Sequence, residues 1–256
     1  MSLFVVLTER KLLAFAQRRM GPSIMGRNGA VQIVLDLFKL LSKDILIVPR
    51  PSTTLAPVFL ALLYFVQLSF TQNFIFANNM FLFNNLDGLI LYYLVLVLFS
   101  NIFLILVGFL SQSKYALIGT LRALVHIISL DIFITITYTI LILNSQSPNF
   151  HDFAILQSSY WYFFLYLPLA GSYLTVMLLE AKRTPFDHTE SEAEVVAGYA
   201  TEYSGTMLLV FYLAEYLHLI IAGSHFVICF AGGWYFLTKL SLLPPIFLNP
   251  VAFLVF

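Results

Sequence analysis

Charge is what this chain has least of. Only 10% of its 256 residues are Asp, Glu, Lys or Arg, while 60% are hydrophobic, and the mean hydropathy is +0.90. A soluble domain carries about 25% charged residues. A water-exposed globule is therefore excluded, and the surplus apolar surface must face lipid or neighbouring subunits. Cysteine is nearly absent. Cys229 stands alone, which excludes an intrachain disulfide and a cysteine-ligated iron–sulfur cluster. The five histidines (His126, His151, His188, His218, His225) lack metal-ligand spacing, so no metal site is expected. Thirteen Lys/Arg against 13 Asp/Glu leave no excess charge to draw nucleic acid or an acidic partner. No cleavable signal peptide is evident, because the apolar stretch Met1–Leu7 is short and Glu9-Arg10-Lys11 follows at once.

What is present is a series of apolar runs. A membrane span needs about 20 apolar residues, and Leu89–Leu110 supplies 22 without a charge. Further spans are expected at Leu55–Phe76, Leu124–Leu143, Trp161–Leu179, Thr206–Ile221 and Phe226–Thr238, and Met1–Thr8 reads as the stub of another. The tail Leu240–Phe256 is uncharged but holds Pro244, Pro245 and Pro250, so a broken or surface-lying segment is expected there. Lys and Arg fall in Arg10–Arg50, at Lys114 and Arg122, at Lys182 and Arg183, and at Lys239. The alternate loops Ala77–Gly88, Asn144–Tyr160 and Ala222–His225 have none. All the basic residues thus fall on one side, as the positive-inside rule requires. The expected fold is all-α: a single polytopic membrane domain of six to seven transmembrane helices, with an amphipathic helix at the interface over residues 30–43. In that helix Gln32, Asp36, Lys39 and Lys43 step by four, three and four and form one polar stripe. Beside a bilayer such a stripe could wall a cavity for an amphipathic ligand.

Three acids sit at membrane depth or its edge: Asp131 inside the fourth segment, Glu180 closing Trp161–Leu179, and Glu215 within Thr206–Ile221. A carboxylate at the bilayer centre costs about 2.5–3.5 kcal/mol on insertion scales, so each must face protein or water. One such acid reads as a structural hydrogen bond between helices; three on three helices favour a proton path. The loop over 180–205 concentrates acids further, with Glu180, Asp187, Glu190, Glu192, Glu194 and Glu202 within 23 residues. Thr189-Glu190-Ser191-Glu192 reads as a capping box, which predicts a helix starting near Glu190. Like charges this close do not all ionise cheaply, so the cluster is expected to hold protons.

The run from Glu180-Ala-Lys-Arg-Thr-Pro-Phe-Asp187 through Glu190-Ser-Glu-Ala-Glu194 to Glu202-Tyr203 resembles the signature loop of subunit 1 of the proton-pumping NADH:ubiquinone oxidoreductase, respiratory complex I. Other motifs of that family follow in order: Glu9-Arg10-Lys11, Arg19-Met20-Gly21-Pro22, Asp36-Leu-Phe-Lys39-Leu, Tyr115 to Ala123, and Ala214-Glu215-Tyr216. The resemblance covers about Val5 to Lys239. It implies a membrane-arm subunit where ubiquinone, the substrate, meets electrons from partner subunits that carry FMN and iron–sulfur clusters. It implies that Asp131, Glu180 and Glu215, with Glu194 and Glu202, form the carboxylate path for protons. It further implies that Arg10, Asp36, Arg183, Phe186, Asp187, Glu190 and Glu192 border the quinone cavity. Asp131 stands where the family commonly has Glu, one methylene longer, which asks for a bridging water.

The implied partners are the hydrophilic quinone-site subunits, the neighbouring membrane-arm subunits and lipid. The family's pattern continues past Lys239 with an arginine-rich loop and another helix, whereas no Arg follows Arg183 here, so a separate chain completing the C-terminal helices is expected. The 26 phenylalanines and short loops point to the mitochondrial inner membrane ahead of a bacterial plasma membrane. The rival from another class is a stand-alone proton- or cation-coupled secondary transporter. Internal repeats would favour it, and the two halves of the chain differ in charge and motif.

Overall fold

The computed structural model describes residues 2–26, 29–44, 53–74, 88–157, 161–182, 186, 198 and 201–233, and every regular element among them is helical. In chain order these are α1 (Ser2–Ala16), α2 (Val31–Ser42), α3 (Ala56–Phe74, entered through a 3-10 turn at Thr53–Leu55), α4 (Leu89–Leu110) and α5 (Lys114–Ser145). There follow α6 (Phe150–Leu156), α7 (Tyr162–Leu165), α8 (Leu167–Glu180) and α9 (Gly205–Phe230). Three of them, α4, α5 and α9, are long and apolar enough to cross a membrane, and α3 and α8 are shorter apolar helices. The chain is an all-helical, polytopic membrane protein, as its composition requires.

Lipid offers no hydrogen bonds, so backbone and hydroxyl groups must be satisfied within the helices. In α5 the hydroxyls of Thr120, Ser129, Thr135, Thr137, Thr139 and Ser145 each donate to the carbonyl three residues earlier. Ser113 caps this helix by accepting from the Ala116 amide at 3.2 Å. Val125, Ile128, Ile132, Ile136 and Leu143 stand exposed along one side, while Ala123, Leu130, Ile134, Thr137 and Tyr138 are buried on the other. The exposed side is the surface the composition assigned to lipid or a neighbour.

α9 is the central helix. Twelve of its 26 residues are buried, against nine of 32 in α5. It packs against α1, α2, α3, α6 and α8. Its start is held by a close backbone approach: Gly205 has φ +57°, and a Cβ there would lie 2.9 Å from the Lys43 carbonyl oxygen just after α2. Near its other end His225 is wholly buried. Its ring stacks on Tyr93 with centroids 3.7 Å apart, and the hydroxyls of Tyr138 and Tyr173 lie 3.1 Å apart in the same core. Tyr phenols buried this deeply need such partners.

The structure corrects four of the expected boundaries. Met1–Thr8 is no stub: α1 runs on through Glu9, Arg10 and Lys11 to Ala16. Lys114 and Arg122 lie on α5 itself, not in a loop before it. At 1.5 Å per residue α5 is about 48 Å long, more than the roughly 30 Å hydrocarbon core, so its first turns reach the polar zone. Ala222–His225 is not a loop either, and the spans expected at Thr206–Ile221 and Phe226–Thr238 join through it into α9. The residues of this stretch satisfy the helix themselves, since Ser224 donates to the Ile221 carbonyl and His225 Nδ1 sits 2.8 Å from it. α9 then ends where Gly232 and Gly233 take φ of 82° and 54°. The fourth correction concerns Trp161–Leu179, which is split at Tyr166 (φ −116°, ψ 47°), where Pro168 restarts the helix in its first turn.

Gly205→Ala is expected to weaken the α2–α9 junction by about 1–2 kcal/mol from the left-handed backbone alone, with the Lys43 carbonyl clash adding to it. A lower melting temperature of the assembled protein checks this; an unchanged one contradicts it.

Candidate functional site

The polar residues of the spanning helices converge on one interior cavity of about 60 Å³. α3 contributes Gln67, α4 Asn101, α5 His126 and Asp131, and α9 Glu215 and His218, while Glu180, Lys182 and Phe186 enter from the end of α8 and the chain after it. The spacing explains the convergence. Glu215 and His218 are three residues apart and share a face of α9. Asp131 lies nine residues beyond Arg122, which at 1.5 Å per residue is about 14 Å deeper, near the middle of a roughly 30 Å core.

The contacts within the cavity form three separate groups. Asn101 Nδ2 donates to Asp131 Oδ1 at 3.0 Å. His218 Nε2 lies 3.1 Å from Glu180 Oε1, and its Nδ1 lies 3.3 Å from Gln67 Nε2. Lys182 Nζ reaches Glu215 Oε1 at 3.8 Å. Side chains of Glu180, Lys182, Glu215 and His218 are between 12% and 19% exposed. Three carboxyl groups therefore share the cavity with one ammonium and two imidazoles. A space of this size holds a few waters but falls well short of the roughly 300 Å³ of an ordinary ligand pocket. It suits proton storage and transfer. It does not hold a quinone ring.

Asp131, Glu180, Glu215 and Phe186, expected from the sequence, are brought together here. Arg10 and Asp36 are not. They form an ion pair of 2.6 Å between α1 and α2, supported by Gln32 Nε2 donating to Asp36 at 3.0 Å, and neither lines the cavity. Partial burial pushes the Asp36 carboxyl up, but the hydrogen bonds from Arg10 and Gln32 and the charges of Arg10 and Lys39 outweigh it, leaving it below the usual carboxylate range. Glu202 is exposed. Its neighbour Tyr203 is buried and donates to the Val107 carbonyl, which ties the end of the acidic loop to α4. Arg183, Asp187, Glu190, Glu192 and Glu194, the helix expected near Glu190 and the tail Leu240–Phe256 lie outside the described residues. Reading the acids alone missed Gln67, Asn101 and His218. The available signal was Asn101, the one amide in the uncharged run Leu89–Leu110, and a histidine one turn from Glu215.

Known proteins resemble the chain over most of its length. A family model described as NADH dehydrogenase matches residues 1–256. The NADH-ubiquinone oxidoreductase chain 1 of Paramecium tetraurelia is 34% identical over 230 residues, 90% of this chain and 88% of that protein. That of Metridium senile is 34% identical over 232 residues, 90% and 69% of the two chains. A bacterial relative, an NADH-quinone oxidoreductase subunit of a Geobacillus strain, is 34% identical over 246 residues, 93% and 72%.

The Arg10–Asp36 pair gives a signed pH dependence. A carboxyl held below its unfolded value of about 3.9 stabilises the fold above that pH, and the contribution disappears as pH falls through the folded value. Asp36→Asn is thus expected to lower stability modestly, by less than about 1 kcal/mol for so exposed a pair, at neutral pH and not near pH 2. Thermal melts of both forms at the two pH values measure it. An equal deficit at both would contradict the assignment.

Proposed function

Because the chain belongs to the NADH dehydrogenase family, as the chain 1 type of membrane subunit of the NADH:quinone oxidoreductase, we propose that its interior carboxylates form the path by which quinone reduction is coupled to proton translocation. The observation that carries this is the water-sized cavity on which Asp131, Glu180 and Glu215 converge from three helices. Carboxyl groups that line one cavity roomy enough for water exchange protons through it. Lys182 Nζ lies 3.8 Å from Glu215 Oε1 and His218 Nε2 3.1 Å from Glu180 Oε1, so each carboxyl has a basic group within reach. A proton arriving at one carboxyl is therefore passed on through a short chain of water and side chains. Asn101 holds the shorter Asp131 carboxylate in place through its amide.

In this reading the substrate is ubiquinone, which enters from the bilayer beside the acidic loop, and Phe186 marks where that loop meets the cavity. Arg183, Asp187, Glu190 and Glu192 border the quinone, Glu194 and Glu202 extend the acid path, and Arg10 with Asp36 stands at the entrance on the α1–α2 side. Partner subunits of the complex supply FMN and the iron–sulfur clusters. The membrane is the mitochondrial inner membrane, in keeping with the phenylalanine content.

Glu215→Gln in the assembled complex is expected to cut proton translocation per quinone reduced, with assembly intact. Loss of a proton-transfer group slows such a step by about 10²-fold or more. Proton uptake by reconstituted vesicles, read beside NADH oxidation, measures the ratio. A normal ratio at normal turnover would remove Glu215 from the path.

A further inference from the structure

The least expected feature of the cavity is the wall opposite Glu180. Gln67 is only 4% exposed. Its Nε2 faces His218 Nδ1 at 3.3 Å, yet its Oε1 is buried with no hydrogen-bond partner. Glu180 Oε1, although 3.1 Å from His218 Nε2, is likewise not aligned as the acceptor of a hydrogen bond. An unsatisfied buried acceptor costs about 1–3 kcal/mol. Both of these acceptors belong to side chains that contact the same imidazole ring.

An imidazolium requires an acceptor at each ring nitrogen, since both donate, and Gln67 and Glu180 each carry an oxygen without a partner. The Gln67 amide lies 3.3 Å from Nδ1, and an amide can present either an N–H or an oxygen to that nitrogen. Turning the Gln67 amide by half a rotation exchanges its N–H for Oε1 and gives a protonated Nδ1 an acceptor. A side-chain amide accommodates this exchange without any change of shape. A carboxylate or an apolar residue would not offer both faces.

We propose that His218 is a proton-carrying member of the path and that Gln67 is its positioning residue, the amide turning to stabilise the imidazolium. The proton comes from a carboxyl across the cavity, Asp131 or Glu215, by way of water, and binds at Nδ1. A small turn of the ring brings Nε2 into line with Glu180 Oε1, 3.1 Å away, and the ring gives its other proton to that carboxylate. One proton enters, one leaves, and no electrons move. Among the described residues, the groups that bear on the ring are Glu180 from α8, Asp131 and His126 from α5, Glu215 and the more distant His225 from α9, Lys182 after α8 and Gln67 from α3. This inference rests on the carboxylate-path reading but is tested separately from it.

The test uses the intact complex with histidine labelled for infrared spectroscopy, the His218 band being identified by its loss in His218→Gln. Gln67→Met keeps the volume and removes the acceptor, so the midpoint for protonating His218 is expected to move to lower pH by about one unit, tenfold in the proton-dissociation constant. Gln67→Glu supplies a permanent acceptor and is expected to move it upward. Opposite shifts support the proposal. Equal shifts, or none, overturn it, because a purely structural amide would perturb the site without regard to sign. Should Gln67→Glu fail to assemble, an unshifted midpoint in Gln67→Met alone overturns it. The coupling ratio of Glu215→Gln reports on the path reading independently, so failure of one is not mistaken for failure of the other.

Discussion

A carboxylate at the middle of a bilayer costs about 2.5–3.5 kcal/mol when left to lipid, and that cost organises the packing of α3, α4, α5, α8 and α9. Each acid at depth is turned inward, and each helix that carries or faces one brings a polar companion: Asn101 for Asp131, His218 for Glu180, Lys182 for Glu215. The apolar side chains then do what remains, covering the polar interior on one side and meeting lipid on the other. Because α9 carries Glu215 and His218 and also touches most other elements, it is the helix on which both the fold and the cavity depend.

The same constraint separates two tasks. The interior cavity is too small for a quinone ring and is lined by groups that bind and release protons. The Arg10–Asp36 contact between α1 and α2 lies apart from it, at a more open position. In the proposed reading, proton chemistry and substrate entry fall to different parts of the chain, with Phe186 and the end of α8 between them. A coupling subunit gains from such a division, since a proton relay works best where bulk water is excluded.

Much of this was legible in the sequence because burial of charge is so strongly penalised. The position of α4 could be read to the residue from an uncharged run of 22, and Asp131, Glu180 and Glu215 stood out as acids where acids are expensive. Boundaries set by weaker forces were harder to read. Ala222-Gly-Ser-His225 looks like a turn in one dimension, yet Ser224 and His225 return hydrogen bonds to the Ile221 carbonyl and the helix continues. Tyr166 looks helical, but Pro168 two residues later breaks the span. Neutral polar residues such as Gln67 and Asn101 are marked less strongly than acids, and only the crossing of helices reveals their partners.

A map of the intact complex at a resolution that shows water bears most directly on the idea that a wet, protein-enclosed cavity links the three carboxyls. Ordered waters bridging Asp131, His218 with Glu180, and Glu215 are expected inside the ring formed by α3, α4, α5, α8 and α9. A dry cavity filled by apolar side chains, or any of the three carboxyls turned towards acyl chains, would contradict it.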